Sequence, residues 1–88
     1  MTNAIDILCV GGPRNSTVVC MNRARMNTFI ELGTDGGGVV TYTRKVWTDP
    51  ETTLQYHVAT QPGEGEAGDV DIANEIALSR FPPAWDLN

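Results

Sequence analysis

Apolar residues recur in β-length runs along most of this chain and at helical spacing only near its end. Ile5 to Val10 (IDILCV) is almost continuously apolar, the pattern of a strand covered on both faces. Gly11-Gly12-Pro13-Arg14-Asn15 is turn chemistry, and Thr17 to Met21 (TVVCM) returns as a second strand. NRARMN (22–27) is polar and unperiodic, a loop. Thr28 to Leu32 (TFIEL) is a short strand candidate, closed by the Gly-rich stretch from Gly33 to Gly38. Val39 to Trp47 (VVTYTRKVW) is the strongest strand pattern, turned by Thr48 to Thr52 into Thr53 to Thr60 (TLQYHVAT).

Both hairpins have a register that can be written down. A turn at 11–15 sets Cys9 opposite Thr17 and Cys20 opposite Asp6, so the thiols fall on opposite faces and do not bridge. Both are expected reduced and buried. A turn at 48–52 sets Val46 opposite Leu54, Arg44 opposite Tyr56 and Tyr42 opposite Val58. The other face then holds Trp47 with Thr53, Lys45 with Gln55 and Thr43 with His57. That arrangement gives one apolar and one polar face, with Arg44 the exception, its stem packing while its guanidinium snorkels or stacks on a Tyr ring.

QPGEGEAG (61–68) is a loop, and Asp69 to Arg80 (DVDIANEIALSR) is the one helix. Gly68 or Asp69 caps it, and Ile72, Ala73, Ile76 and Ala77 make a stripe to lie on a sheet. Phe81 ends it, Pro82-Pro83 blocks its continuation, and the tail AWDLN is expected to dock. The fold class is therefore α+β: an antiparallel sheet of four to five strands, built from two hairpins, with one C-terminal helix packed on one face. Residues 1–88 form a single domain.

Composition narrows the function classes. The net charge is −5, with 11 acidic and 6 basic residues. Phosphate backbones are gripped by clustered Lys and Arg, and the basic residues here are scattered, so direct nucleic-acid binding is not expected. No apolar run approaches the ~18 residues of a membrane span, and the first residues lack the basic start of a secretory signal, so the chain is read as soluble and made inside a cell. Glu64, Glu66, Asp69, Asp71 and Glu75 concentrate acid late in the chain, which suits a basic protein partner.

Chemistry is sparse. GGPRNS and GTDGGG each join strand to strand, without the helix N-terminus a phosphate loop uses. Asn15-Ser16-Thr17 matches a glycosylation acceptor but has no secretion signal to go with it. His57, the one histidine, is assigned to a strand surface, with Thr43 a poor partner for a catalytic base. GEGEAGDVD lacks the ligand spacing of a calcium loop, and one His with two Cys does not make a zinc site. No catalytic residue, metal or cofactor is expected. Arg44, Lys45 and Trp47, with the loop acids Glu64 and Glu66, are the candidate protein-binding residues, Trp and Arg being enriched at interface hot spots. Trp47 falls on the polar face of its hairpin, as an exposed aromatic or as the floor for the tail.

The opening Ile7-x-Cys9-Val10-Gly11-Gly12-Pro13-x-Asn15, followed by Val18-Val19, resembles small proteins of tailed bacteriophages and prophages that begin strand, Gly-Gly-Pro-x-Asp-Gly, Val. The Tyr42-x-Arg44 strand and the strand holding Tyr56 and Ala59 are similar to theirs. Asn15-Ser16 stands where those proteins have Asp-Gly. The resemblance implies phage origin and brings no active site. The expected function is a small acidic phage-encoded protein that binds a host or phage protein in the host cytoplasm, inhibition of a host system being the concrete version. The rival is a virion head or tail accessory protein that assembles in many copies as a homo-oligomer.

Overall fold

The structure is a computed structural model that describes residues 4–22, 28–63 and 66–84. Five strands, β1 (Ala4–Val10), β2 (Val18–Asn22), β3 (Phe29–Gly33), β4 (Val39–Thr48) and β5 (Gln55–Thr60), precede one helix, α1 (Asp69–Ser79). The strands form a single sheet in the order β2-β1-β5-β4-β3. Three neighbouring pairs are antiparallel, but β1 and β5 run parallel, with Leu8 beside Val58 and Val10 beside Thr60. The sheet is thus mixed and not antiparallel throughout. Local turns set the pairing within each hairpin, whereas the seam between hairpins joins the two most buried strands at the centre of the sheet. The short third strand is real and pairs with β4.

The first hairpin has the register its turn chemistry implies. Asp6 lies opposite Cys20, and the amide of Cys9 donates to the Thr17 carbonyl at 2.8 Å. Gly11 and Gly12 both take positive φ, as does Ser16, while the Asn15 side chain accepts from the Gly11 amide at 2.7 Å. Both cysteines are free, Cys9 buried and Cys20 exposed, so the expectation of burial fails for Cys20. Its strand lies at the edge of the sheet, where the outward row meets solvent.

The β4–β5 register differs from the expected one. Val46 pairs with His57, Lys45 with Val58 and Trp47 with Tyr56. The cause lies in the turn: Asp49 and Leu54 close it, Asp49 Oδ1 accepts from the Glu51 amide, and Thr53 adopts a left-handed φ of 63°. The offset is odd, so β5 presents the opposite face from the one expected. Trp47, Tyr56 and Val58 consequently pack with Leu8, Val10, Ile72, Ile76 and Phe81 beneath the helix. His57 is buried, not on the surface.

The second face has a core of its own without a helix. Ile5, Ile7, Cys9, Ile30, Val40, Tyr42 and Ala59 cluster there, flanked by Val19, Met21 and Leu32 from the edge strands. Curling of the sheet makes this possible. In a flat sheet β1 and β3 lie three strand spacings apart, roughly 14 Å. Yet Arg14, in the loop after β1, donates to the carbonyl of Gly33 at the end of β3 at 2.9 Å.

The helix starts where expected. Gly68 is its N-cap, with its amide donating to Asp71 Oδ2 at 3.2 Å. It ends one residue earlier than expected, with Arg80 as a left-handed C-cap whose amide donates to Ile76. Ala77, assigned to the sheet-facing stripe, is exposed. The start of the tail docks, Ala84 donating to the Gln55 carbonyl at 2.7 Å. Trp85 and Leu87, like Arg23, Arg25 and Glu64, lie outside the described residues.

Candidate functional site

Strand alternation separates the candidate residues. Trp47 and Lys45 point to the helix side of β4, and Arg44 points to the opposite side with Tyr42 and Val46. Trp47 is buried against α1, and its indole Nε1 donates to Asp69 Oδ1 at 3.0 Å. Lys45 and Arg44 are half-buried. Glu66 accepts a hydrogen bond from the buried Thr60 hydroxyl at 2.6 Å, which fixes the loop leading into α1. No single flat contact can take both Arg44 and Lys45, and Trp47 supports the surface beside Lys45 instead of forming it.

Two grooves flank the N-terminal half of α1. One, of about 450 Å3, runs between the helix and the Gly-rich turn and is lined by Gly11, Gly12, Asn15, Asp71, Asn74 and Glu75. The other, of about 320 Å3, lies between the helix and the β4–β5 turn, with Asp49, Glu51, Asp69, Val70 and Asn74 around the Trp47 ring. Asn74 borders both. Their charged walls are carboxylates alone. The sequence marked the acidic stretch but not its division around the helix, which depends on which helix face is buried.

Tyr42 organises the turn beneath the first groove. Its hydroxyl donates to the Gly11 carbonyl at 2.6 Å and accepts from the Arg14 amide at 2.9 Å. Burial pushes its phenol up, opposed by the Arg14 amide. A cavity of about 80 Å3 lies at the other end of the sheet, where His57, Asp6 and Ile5 meet the segment from Phe81 to Ala84.

The thiols are poorly placed for nucleophilic work. Burial pushes Cys9 up to about 11, partly offset by Arg14. Cys20 is raised by desolvation and then by the hydrogen bond and charge of Asp6. Both are protonated at neutral pH, and the thiolate is the reactive form. Among the described residues no three His, Cys, Asp or Glu side chains gather in a metal-binding group, and no helix is long and apolar enough to cross a membrane.

Large apolar side chains in solvent are the more telling feature. Phe29 is 62% exposed, Val39 66%, Val70 73% and Leu78 80%. The first two stand on the helix side of β3 and β4, beyond the part of the sheet that α1 covers. Sequence reasoning missed them, although the signal was present. Once Ile30 and Leu32 form the inward row of β3, Phe29 has to face the other way. Comparison with protein families, with curated proteins and with solved structures finds no match.

Proposed function

We propose that this chain is a small phage-encoded, non-enzymatic protein that acts in the host cytoplasm by binding another protein, inhibition of a host system being its concrete form. The observation that carries the reading is the exposure of Val70 and Leu78 on the outer face of a helix whose first half is flanked by two acidic grooves. Large apolar side chains ringed by charge on a folded surface mark protein contacts. The carboxylates favour a basic partner surface, and the grooves have room for long cationic side chains whose stems follow the helix. Glu66 belongs to the loop that enters this helix, and Lys45 lies on the same side of the sheet. The phage origin rests on the N-terminal hairpin pattern.

Affinity capture from the bacterial host tests the reading, using tagged wild-type protein and the Glu75→Lys variant. One stoichiometric host protein, held by the wild type and lost by the variant at unchanged melting temperature, is the expected result. Equal capture by both would remove the acidic helix from the contact. A parallel Arg44→Glu variant reports on the opposite face of β4, where loss of binding and of melting temperature together would assign Arg44 to the fold.

A second reading, a virion accessory protein, is favoured by the outer strands β2 and β3, each paired on one side only among the described residues. Such edges accept further strands. Recovery of capsid or tail proteins, and only after infection, is the outcome that selects it.

A further inference from the structure

We infer that Asp35, in the β3–β4 turn, is a site of self-modification: its carboxyl cyclises onto the Gly36 amide and reopens as isoaspartate in the folded protein. The inference goes beyond the partner reading and does not depend on it.

The turn has the arrangement this reaction needs. The Gly37 amide donates to the Thr34 carbonyl at 3.0 Å, and the Thr34 amide donates to the Gly38 carbonyl at 2.9 Å. Asp35 and Gly36 are the two central residues between these bonds, and both are exposed. Neither the Asp35 carboxylate nor the Gly36 amide is held by a hydrogen bond among the described residues. Gly36 brings no side chain to crowd the approach of its nitrogen to Asp35 Cγ, and nothing lies within 4 Å of its Cβ position. The run of glycines from Gly36 to Gly38 lets the turn leave its resting geometry for the one in which the two atoms meet.

The step balances with water alone. The Gly36 nitrogen bonds to Asp35 Cγ, the Cγ–OH bond breaks, and the amide proton leaves with that hydroxyl as water. A five-membered succinimide results. Water then adds to one of its two carbonyls and opens the ring. Opening at Cγ restores aspartate. Opening at the former main-chain carbonyl leaves Gly36 joined through the side chain, so the main chain gains one methylene and the turn presents a free α-carboxylate.

The fold withholds the competing sites. Asn15 precedes the small Ser16, but its Oδ1 accepts from the Gly11 amide at 2.7 Å and the Ser16 amide donates to the Cys9 carbonyl at 2.9 Å. Asp49 precedes Pro50, whose nitrogen carries no proton. Asp69 accepts from Trp47 and precedes β-branched Val70. Asp71 accepts from the Gly68 amide and precedes Ile72, whose own amide donates to the Gly68 carbonyl. Asn74 precedes Glu75 inside α1. Of these residues and Asp35, only Asp35 is both unheld and followed by glycine.

Warm incubation of the folded full chain at neutral pH tests this. Isoaspartate is counted by methyl transfer from S-adenosylmethionine with an isoaspartyl methyltransferase, and trypsin locates it. The label is expected to rise with time in the peptide covering residues 26–44, at unchanged peptide mass. Conversion of Asn27 in the same peptide would exchange an amide for an acid and raise the mass. Gly36 lies outside the left-handed region, so Gly36→Val should keep the wild-type circular dichroism spectrum while its branched side chain crowds the nitrogen and abolishes the label. Asp35→Ser, which removes the carboxyl, supplies the same comparison if Gly36→Val fails to fold. A folded wild type that gains no isoaspartate in that peptide overturns the inference, as does label that persists in either variant. Asn15 is expected to convert only in urea, and its conversion in the folded chain ahead of Asp35 overturns the selection by the fold. Capture of a host protein is read separately from all of these outcomes.

Discussion

Gly12 is held at a φ of 68°, and a Cβ built there would lie 2.6 Å from the Gln61 side-chain oxygen and 2.8 Å from the Tyr42 hydroxyl. Gln61 is exposed and can move, but Tyr42 is fixed by two hydrogen bonds to the turn. Gly12→Ala therefore combines left-handed strain with a displaced buried ring and should cost about 2–3 kcal/mol in urea denaturation. Gly37 has a φ of 85° with nothing within 4 Å of its Cβ position, so Gly37→Ala carries the strain alone, about 1 kcal/mol. Equal losses would show that the Tyr42 contact adds nothing. Cys9 makes a different prediction at the same scale. Its pKa is raised from 9.0 to about 11 in the fold, so between those values the unfolded chain has released a proton the folded chain keeps. Stability is accordingly intact below the unfolded value and falls as pH rises through the folded one, by about 2 kcal/mol at pH 11. Urea midpoints of the wild type and Cys9→Ala across that range check this, since the steeper alkaline fall should belong to the wild type.

The helix faces the sheet through two buried residues, Ile72 and Ile76, with Ala73 partly buried beside them, while Leu78 stands in solvent. Ile72→Ala should cost about 2–5 kcal/mol, the range for emptying a closed apolar site. Leu78→Ala, measured in dilute solution, should stay within about 0.5 kcal/mol of the wild type. A large loss at Leu78 would mean the helix is rotated from the orientation described. At this scale the sequence was legible wherever local chemistry decides. Gly68 before DVDIANEI marks the helix start, and the Gly-Gly-Pro-Arg-Asn turn leaves the first hairpin a single sensible register. The β4–β5 hairpin was misread because its register turns on one residue. Thr53 takes a conformation a β-branched side chain adopts rarely, stabilised by Asp49 closing the turn, and nothing in TDPETT announces it. One such residue moved Trp47 from a candidate contact into the core and His57 from the surface to the interior, while Lys45 and Arg44 kept their places on opposite faces of β4.

Across the whole molecule, the decisive link is the parallel seam between β1 and β5, which joins Leu8, Cys9 and Val10 to Val58, Ala59 and Thr60. No local pattern encodes which hairpin edges meet, and the near-continuous apolar character of IDILCV was the available hint that β1 belongs at the centre. The seam also gives both faces their cores, since Leu8 and Val58 lie under the helix and Cys9 and Ala59 lie in the cluster beneath the curl. A contact between segments so far apart in sequence forms only when the intervening chain is ordered, so it should be lost only in global unfolding. Native-state hydrogen exchange should therefore find the slowest amides in β1 and β5, opening at the free energy of the global transition, with β2 and β3 exchanging earlier from the edges. The β3–β4 hairpin supplies the contrast, since its pairing is local but its outer strand is exposed at Phe29 and Glu31. If its amides remained protected after those of Leu8 and Val58 had exchanged, the hairpin would be a stable unit by itself. The sheet would then be two pieces in contact, not one cooperative structure closed by the seam.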